Sequence, residues 1–207
     1  MTVRTCLCLI TRPAGGFAAP AGLTTMPGAA LGAAAPPAGP GGTAGPGGTA
    51  GLAGLEVLLG YKKTGFGAGR WVGIGGHVED GEQPVDAAVR EVAEESGLIL
   101  RPAALTHRAS LSFVFPARPS WDQTAEVYVT TEFIGDPVES SEIAPRWFRG
   151  DDLPFDGMWD DARYWLPVVL GGRPVTAEIT FGPDCATVTA IHPDPHPAGL
   201  TLRAPRA

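Results

Sequence analysis

The sequence predicts an α/β fold, and two observations carry that reading. One stretch shows helical periodicity between clear start and stop signals. Several short runs rich in β-branched and aromatic residues lie between turn residues, as strands do. The helix is the stretch from Pro84, which suits a first helical position where its missing N–H costs nothing, to Gly97, which stops it. Val85, Ala88, Val89 and Val92 fall at i, i+3, i+4 and i+7, the stripe of a helix packed on a core.

The strands follow in chain order. Residues 1–12 hold the first, because Cys6-Leu7-Cys8-Leu9-Ile10 is too short for a signal-peptide core and is closed by Thr11-Arg12. A second is expected over Leu52 to Lys62 and another over Glu126 to Phe133. A terminal hairpin of Val175 to Phe181 with Ala186 to Ile191 would turn at Gly182-Pro183-Asp184. Between the first two strands, residues 13–54 carry no charge; Gly, Ala and Pro dominate, and the run at 41–46 is nearly repeated at 47–51. This reads as a flexible low-complexity insertion, too long for an ordinary loop. Residues 192–207 open on His192-Pro193-Asp194-Pro195 and read as a flexible tail, which leaves 55–191 as the rest of one domain.

Composition narrows the function. The 207 residues are enough for one self-sufficient core. A net charge of −7 argues against a surface that neutralises a nucleic-acid polymer, but not against a mononucleotide neutralised by metal. Three cysteines make an odd set; Cys6 and Cys8 share a strand face without zinc spacing, so a reducing cytoplasm is expected. No membrane partner is implied, and a monomer is expected.

The chemistry concentrates on the helix. Glu91, Glu94 and Glu95 occupy one arc beside its apolar stripe, with Glu95 nearest the core. Glu91 and Glu95 are like charges at i, i+4, an unfavourable pair that only Arg90 can offset locally. A hard divalent cation, Mg²⁺ or Mn²⁺, would convert that repulsion into coordination and keep positions for water and substrate phosphate. Gly75-Gly76 upstream lets backbone approach metal or phosphate where a side chain would obstruct.

Taken whole, the pattern is Gly76, five residues, Glu82, seven residues, Arg90-Glu91, an aliphatic residue, one free position, Glu94-Glu95, one free position, Gly97 and Leu98. It resembles the signature of the Nudix hydrolases at every fixed position, a chance event on the order of one in a million. The resemblance implies an α/β/α sandwich with a mixed β-sheet and hydrolysis of a nucleoside diphosphate linked to another group. It further implies Glu91, Glu94 and Glu95 as metal ligands, with Gly75 and Glu142 beside them. One of these carboxylates would accept the proton of the attacking water, and Arg90 would form an orienting ion pair with Glu82.

Residues 60–73, 137–142 and 155–167 carry the likeness further, to the oxidised purine nucleoside triphosphatases. That branch implies substrates such as 8-oxo-dGTP and 2-hydroxy-dATP, cleaved to monophosphate and pyrophosphate. By position Lys62 would approach phosphate, Phe66, Phe113 and Trp159 would wall the base, Thr5 would lie near the purine, and Gly76 would approach the phosphates. Two positions depart: Val72 stands where the branch carries a base-reading asparagine, and of a pair of aspartates only Asp161 is kept, followed by Ala162. Asp160 could compensate after a one-residue shift. Weaker base discrimination is expected. A Nudix hydrolase of ADP-ribose or another nucleotide conjugate is the enzymatic alternative, and a non-catalytic nucleotide sensor the non-enzymatic one.

Overall fold

A computed structural model describes residues 2–15 and 49–193 of the chain. Strand β1 (Val3–Pro13) alternates: Cys6, Cys8 and Ile10 face one side of the sheet and Leu9 the other. It is an interior strand. Along its length it runs parallel to β5 (Gln123–Thr130), and its last residues pair antiparallel with β2 (Leu55–Lys62). The sheet continues from β5 through β4 (Thr106–Val114) and β7 (Val175–Phe181) to β8 (Val188–Pro193). On the other side β2 carries β3 (Trp71–Val72) and, along its opposite edge, β6 (Ile143–Arg149). Only β1–β5 and β4–β7 are parallel, so the sheet is mixed.

Helix α1 (Pro84–Ser96) has the bounds its local signals indicate, and Gly97 closes it at φ 72°, donating its N–H to Ala93 O. It buries Ala87, Ala88 and Val92 against Cys6, Cys8, Ile10 and Leu58. Helix α2 (Ala162–Leu170) buries Trp165, Leu166 and Val169 in a second cluster with Leu9, Val57, Leu59 and Leu111. One helix on each face of a mixed sheet is the expected α/β/α sandwich. No helix among the described residues is long and apolar enough to cross a membrane.

Beside the first half of β1, where β2 does not reach, the segment Ile74–Val78 takes its place. Cys8 N donates to Ile74 O at 2.7 Å and Cys6 N to Gly76 O at 2.9 Å. A Cβ on Gly75 would stand 2.1 Å from Cys6 O, so the crossing admits only glycine. This crossing carries the chain from the sheet to the start of α1. The thiols beneath it are buried, which pushes Cys6 up to about 11 and Cys8 to about 12.

Several boundaries differ from the sequence reading. The strand expected from Leu52 starts at Leu55, because Thr49–Leu52 forms a 3-10 turn that buries Leu52 against Gly150. The strand expected over 126–133 occupies Gln123–Thr130; it ends where the Thr130 hydroxyl and the backbone of Glu132 exchange hydrogen bonds in a local turn. The last strand begins at Val188 rather than Ala186, since the Asp184 carboxylate takes the N–H groups of Ala186 and Thr187 and holds them in the turn. It runs on through His192 and Pro193, which pair with Glu178 and Ala177, so the tail begins later than residue 192. The first strand likewise includes Pro13. The rest of the expected insertion, residues 16–48, and of the tail, 194–207, lies outside the described residues.

Candidate active site

Helix α1 turns one edge toward the glycine crossing, and Arg90 organises the space between them. Its guanidinium grips Glu82 with two nitrogens, Nε to Oε1 at 3.0 Å and Nη2 to Oε2 at 2.9 Å. It also donates to Glu91 Oε1 at 2.9 Å, to Glu94 Oε2 at 3.3 Å and to the His77 carbonyl at 3.0 Å. A planar fork with five donors suits this cross-link, which fastens the loop before the helix to the helix's acidic face. These contacts hold the Glu82 carboxyl below the usual range and push the Arg90 guanidinium further up.

Glu95 sits deeper, only 3% exposed. Its Oε1 accepts from Lys62 Nζ at 3.0 Å and its Oε2 from Gly75 N at 3.1 Å. Burial raises its proton affinity, and the Lys62 ammonium and the Gly75 N–H counter it in part. Glu142, exposed in the segment before β6, places Oε2 3.7 Å from the same Lys62 Nζ. The ammonium thus bridges the helix and a segment distant in sequence.

These groups face a cavity of about 550 Å³. At one end it is lined by Lys62, Gly75, Gly76, Glu91, Glu94 and Glu142; Glu82, Arg90 and Glu95 stand behind that wall and hold it. At the other end lie Thr5, Phe66, Val72, Phe113, Trp159 and Asp161. Among the described residues no three His, Cys, Asp or Glu side chains are already gathered about one point. Glu95 is drawn to Lys62, while Glu91 and Glu94 are drawn to Arg90. The donor set nevertheless fits a hard cation. It is all carboxylate and backbone oxygen, and the Glu91 carboxylate lies 2.5 Å from where a Gly76 Cβ would stand, so the glycine leaves a cradle that any side chain would fill.

The aromatic end is a box. Phe66 stacks on Trp159 at 5.1 Å between centroids, with an interplanar angle of 15°, and the Arg70 guanidinium lies 4.3 Å over the Trp159 ring. Trp121 and Phe115 meet Phe66 edge-on at 5.2 and 6.3 Å. Asp161 is buried at the start of α2; it accepts from Trp165 Nε1 at 2.7 Å, and burial lifts its carboxyl to about 6. Asp160 does not compensate for Ala162. Its carboxylate takes Val188 N at 2.9 Å and pairs with Arg163, so it serves the joint with β8. Sequence reasoning missed Arg70, Phe115, Trp121 and Gln123, all close to or lining this end. Arg70 lies within the run at 60–73, but the sequence assigns it no role there; Phe115, Trp121 and Gln123 flank or open strands whose neighbours lie far apart in sequence, and no local motif signals them.

Similarity to known proteins agrees with this geometry. The NUDIX domain model matches residues 52–169. The oxidized purine nucleoside triphosphate hydrolase of Mus musculus is 44% identical over 126 residues, 61% of this chain and 79% of that protein. Its counterpart from Danio rerio is 41% identical over 115 residues, 56% of this chain and 72% of that protein. The crystal structure of a mutator MutT protein from Bacillus halodurans superposes with a TM-score of 0.62 at 18% identity, covering 94% of this chain and 99% of that one, a likeness of fold. The Arg90-braced acidic helix, the glycine crossing and these matches together place the chain in the Nudix family, as a hydrolase that acts on a nucleotide with a divalent metal ion.

Proposed function

We propose that this enzyme hydrolyses oxidised purine nucleoside triphosphates, such as 8-oxo-dGTP or 2-hydroxy-dATP, to monophosphate and pyrophosphate and so cleanses the nucleotide pool. The observation that carries the reading is a single cavity of about 550 Å³ with an acidic, glycine-lined end and an aromatic end, a lining that suits phosphates at one side and a flat base at the other. The relatives in mouse and zebrafish, named for this activity, support it.

Glu91, Glu94, Glu95, Glu142 and the Gly75 carbonyl would hold Mg²⁺ or Mn²⁺. Such an ion neutralises phosphate oxygens and lowers the pKa of bound water. The chain's own residues supply the positioning. Arg90, clamped to Glu82, fixes the carboxylates of Glu91 and Glu94 against the loop. Lys62 faces the phosphates from between Glu95 and Glu142, and Gly76 leaves room for them. A carboxylate of this group takes the proton of the attacking water. Phe66, Phe113 and Trp159 wall the base, with Thr5 and Asp161 as nearby polar groups and Val72 as an apolar one. The protein acts as a monomer in the cytoplasm, on free nucleotide rather than nucleic acid or membrane, in keeping with its net charge of −7. Its domain is a single unit, with a low-complexity insertion between β1 and β2 and a tail after β8.

The test is product analysis with Mg²⁺ or Mn²⁺ on a panel of 8-oxo-dGTP, 2-hydroxy-dATP, dGTP and ADP-ribose. The expected products are monophosphate and pyrophosphate. Preferential cleavage of ADP-ribose to AMP would reassign the substrate, and tight nucleotide binding without turnover would make the protein a sensor.

A further inference from the structure

The strand register sets one polar side chain into the floor of the aromatic end. In the pairing of β1 with β5, Val3 lies opposite Gln123 and Thr5 opposite Ala125; in the pairing of β4 with β5, Phe113 lies opposite Gln123. Registry neighbours project to the same face, about 5 Å apart. Val3, Gln123 and Phe113 therefore form one row and Thr5 and Ala125 the next, and all five line the cavity. Gln123 is half-buried there, and its carboxamide makes no hydrogen bond within the described residues.

Most of the other polar groups near Gln123 are committed or absent; the Ser120 hydroxyl, which also lines the cavity, stands in the exposed turn before β5. The Thr5 hydroxyl donates to Thr124 O at 2.9 Å and is left an acceptor. Asp161 is held by Trp165, Asp160 by Val188 and Arg163, and Val72 and Ala162 have nothing to offer. The geometry points to Gln123 as the specificity-determining residue that reads the base edge in this enzyme. This rests on the triphosphatase reading above and names how its substrates are told apart.

A carboxamide presents one donor and one acceptor side by side. The edge on which oxidised and ordinary guanine differ is the one bearing position 7. Guanine offers two acceptors there, N7 and O6, whereas adenine offers an acceptor at N7 and a donor at N6. Oxidation at C8 puts a proton on N7, so 8-oxoguanine offers a donor and an acceptor. The Gln123 amide satisfies both groups of adenine or of 8-oxoguanine, but guanine leaves its Oε1 facing a lone pair. Ordinary dGTP is therefore the poorest of the three substrates.

The experiment measures kcat/KM of the full-length protein for 8-oxo-dGTP, dATP and dGTP in the unmodified chain, in Gln123→Leu and in the isosteric Gln123→Glu. Equilibrium binding of 8-oxo-dGMP and dGMP, which needs no turnover, accompanies it. Gln123→Leu should lower 8-oxo-dGTP and dATP about tenfold, through KM, with dGTP within about twofold, and weaken 8-oxo-dGMP by a similar factor, whereas Gln123→Glu, which keeps only acceptors, should lower dGTP the most. An unchanged order of substrates and of monophosphate affinities in both variants overturns the assignment. Absence of triphosphate turnover with a selective loss of 8-oxo-dGMP binding sinks the triphosphatase reading and leaves Gln123 as the reader.

Discussion

Glu95 is subject to opposing demands. It is buried, which disfavours its charge, yet Lys62 and the Gly75 N–H hold that charge in place. Glu95→Gln keeps the volume and a hydrogen-bond partner for Gly75, and Lys62 retains Glu142 nearby. Stability should change by no more than about 2 kcal/mol, while kcat/KM falls about a hundredfold or more through loss of an anionic ligand. Urea unfolding beside steady-state kinetics separates the two; near-normal turnover at saturating Mg²⁺ would remove Glu95 from the site. Asp161 gives a second residue-scale prediction. Burial raises its pKa from 3.8 to about 6, so the native state binds its proton more tightly than the unfolded chain. That contribution is fully present below about pH 4 and is lost as pH rises through about 6. Asp161→Asn cannot titrate and still accepts from Trp165. Relative to the unmodified protein it should gain stability across this window, by up to about 3 kcal/mol. Parallel denaturation curves at pH 4 and pH 7 with a constant difference would show that Asp161 ionises normally.

At the level of elements, α1 matters through what it is tied to. Arg90 joins it to Glu82 and to the His77 carbonyl, so the loop after the glycine crossing and the helix behave as one piece. Arg90→Lys keeps the charge but not the fork. The expected outcome is at least a tenfold fall in kcat, with the helix intact by circular dichroism; wild-type kcat would show that Glu91 and Glu94 are positioned without the cross-link. The bounds of α1 were legible because Pro84 and Gly97 act locally, and β7 because its alternation is uninterrupted. Strands β4 and β6 and helix α2 stayed unassigned: β4 carries a register shift between His107 and Ala109, and α2 holds Pro167 inside it. The acidic end of the site was readable for the same local reason, being one helix and the loop before it. The aromatic end was readable only in part, since Gln123 reaches it through pairings with β1 and β4 and Trp121 through the turn that leads into β5, which no short window of sequence reveals.

On the scale of the whole molecule, the ends flanking the insertion already meet: Pro13 pairs with Leu55, and Ala14 N donates to Gly54 O at 2.9 Å. Replacing Ala14–Gly51 with a short Gly/Ser connector, leaving Leu52 in its packed position, should preserve turnover. Shortening the loop about eightfold should add about 2 kcal/mol of stability from closure entropy. A soluble, folded deletion with a greatly reduced kcat would instead make the insertion part of the site. The interior place of β1 has a further consequence, for synthesis. The strand precedes its parallel partner β5 by more than a hundred residues, so it is synthesised well before that partner exists. Until then Cys6, Leu7, Cys8, Leu9 and Ile10 leave the edge meant for β5 unpaired, since β2 and the Ile74–Val78 segment cover only the other one, and such an edge draws other nascent chains. A chain that stops short of β5 keeps that edge open, and shielding residues 3–13 during translation should raise the yield of folded enzyme.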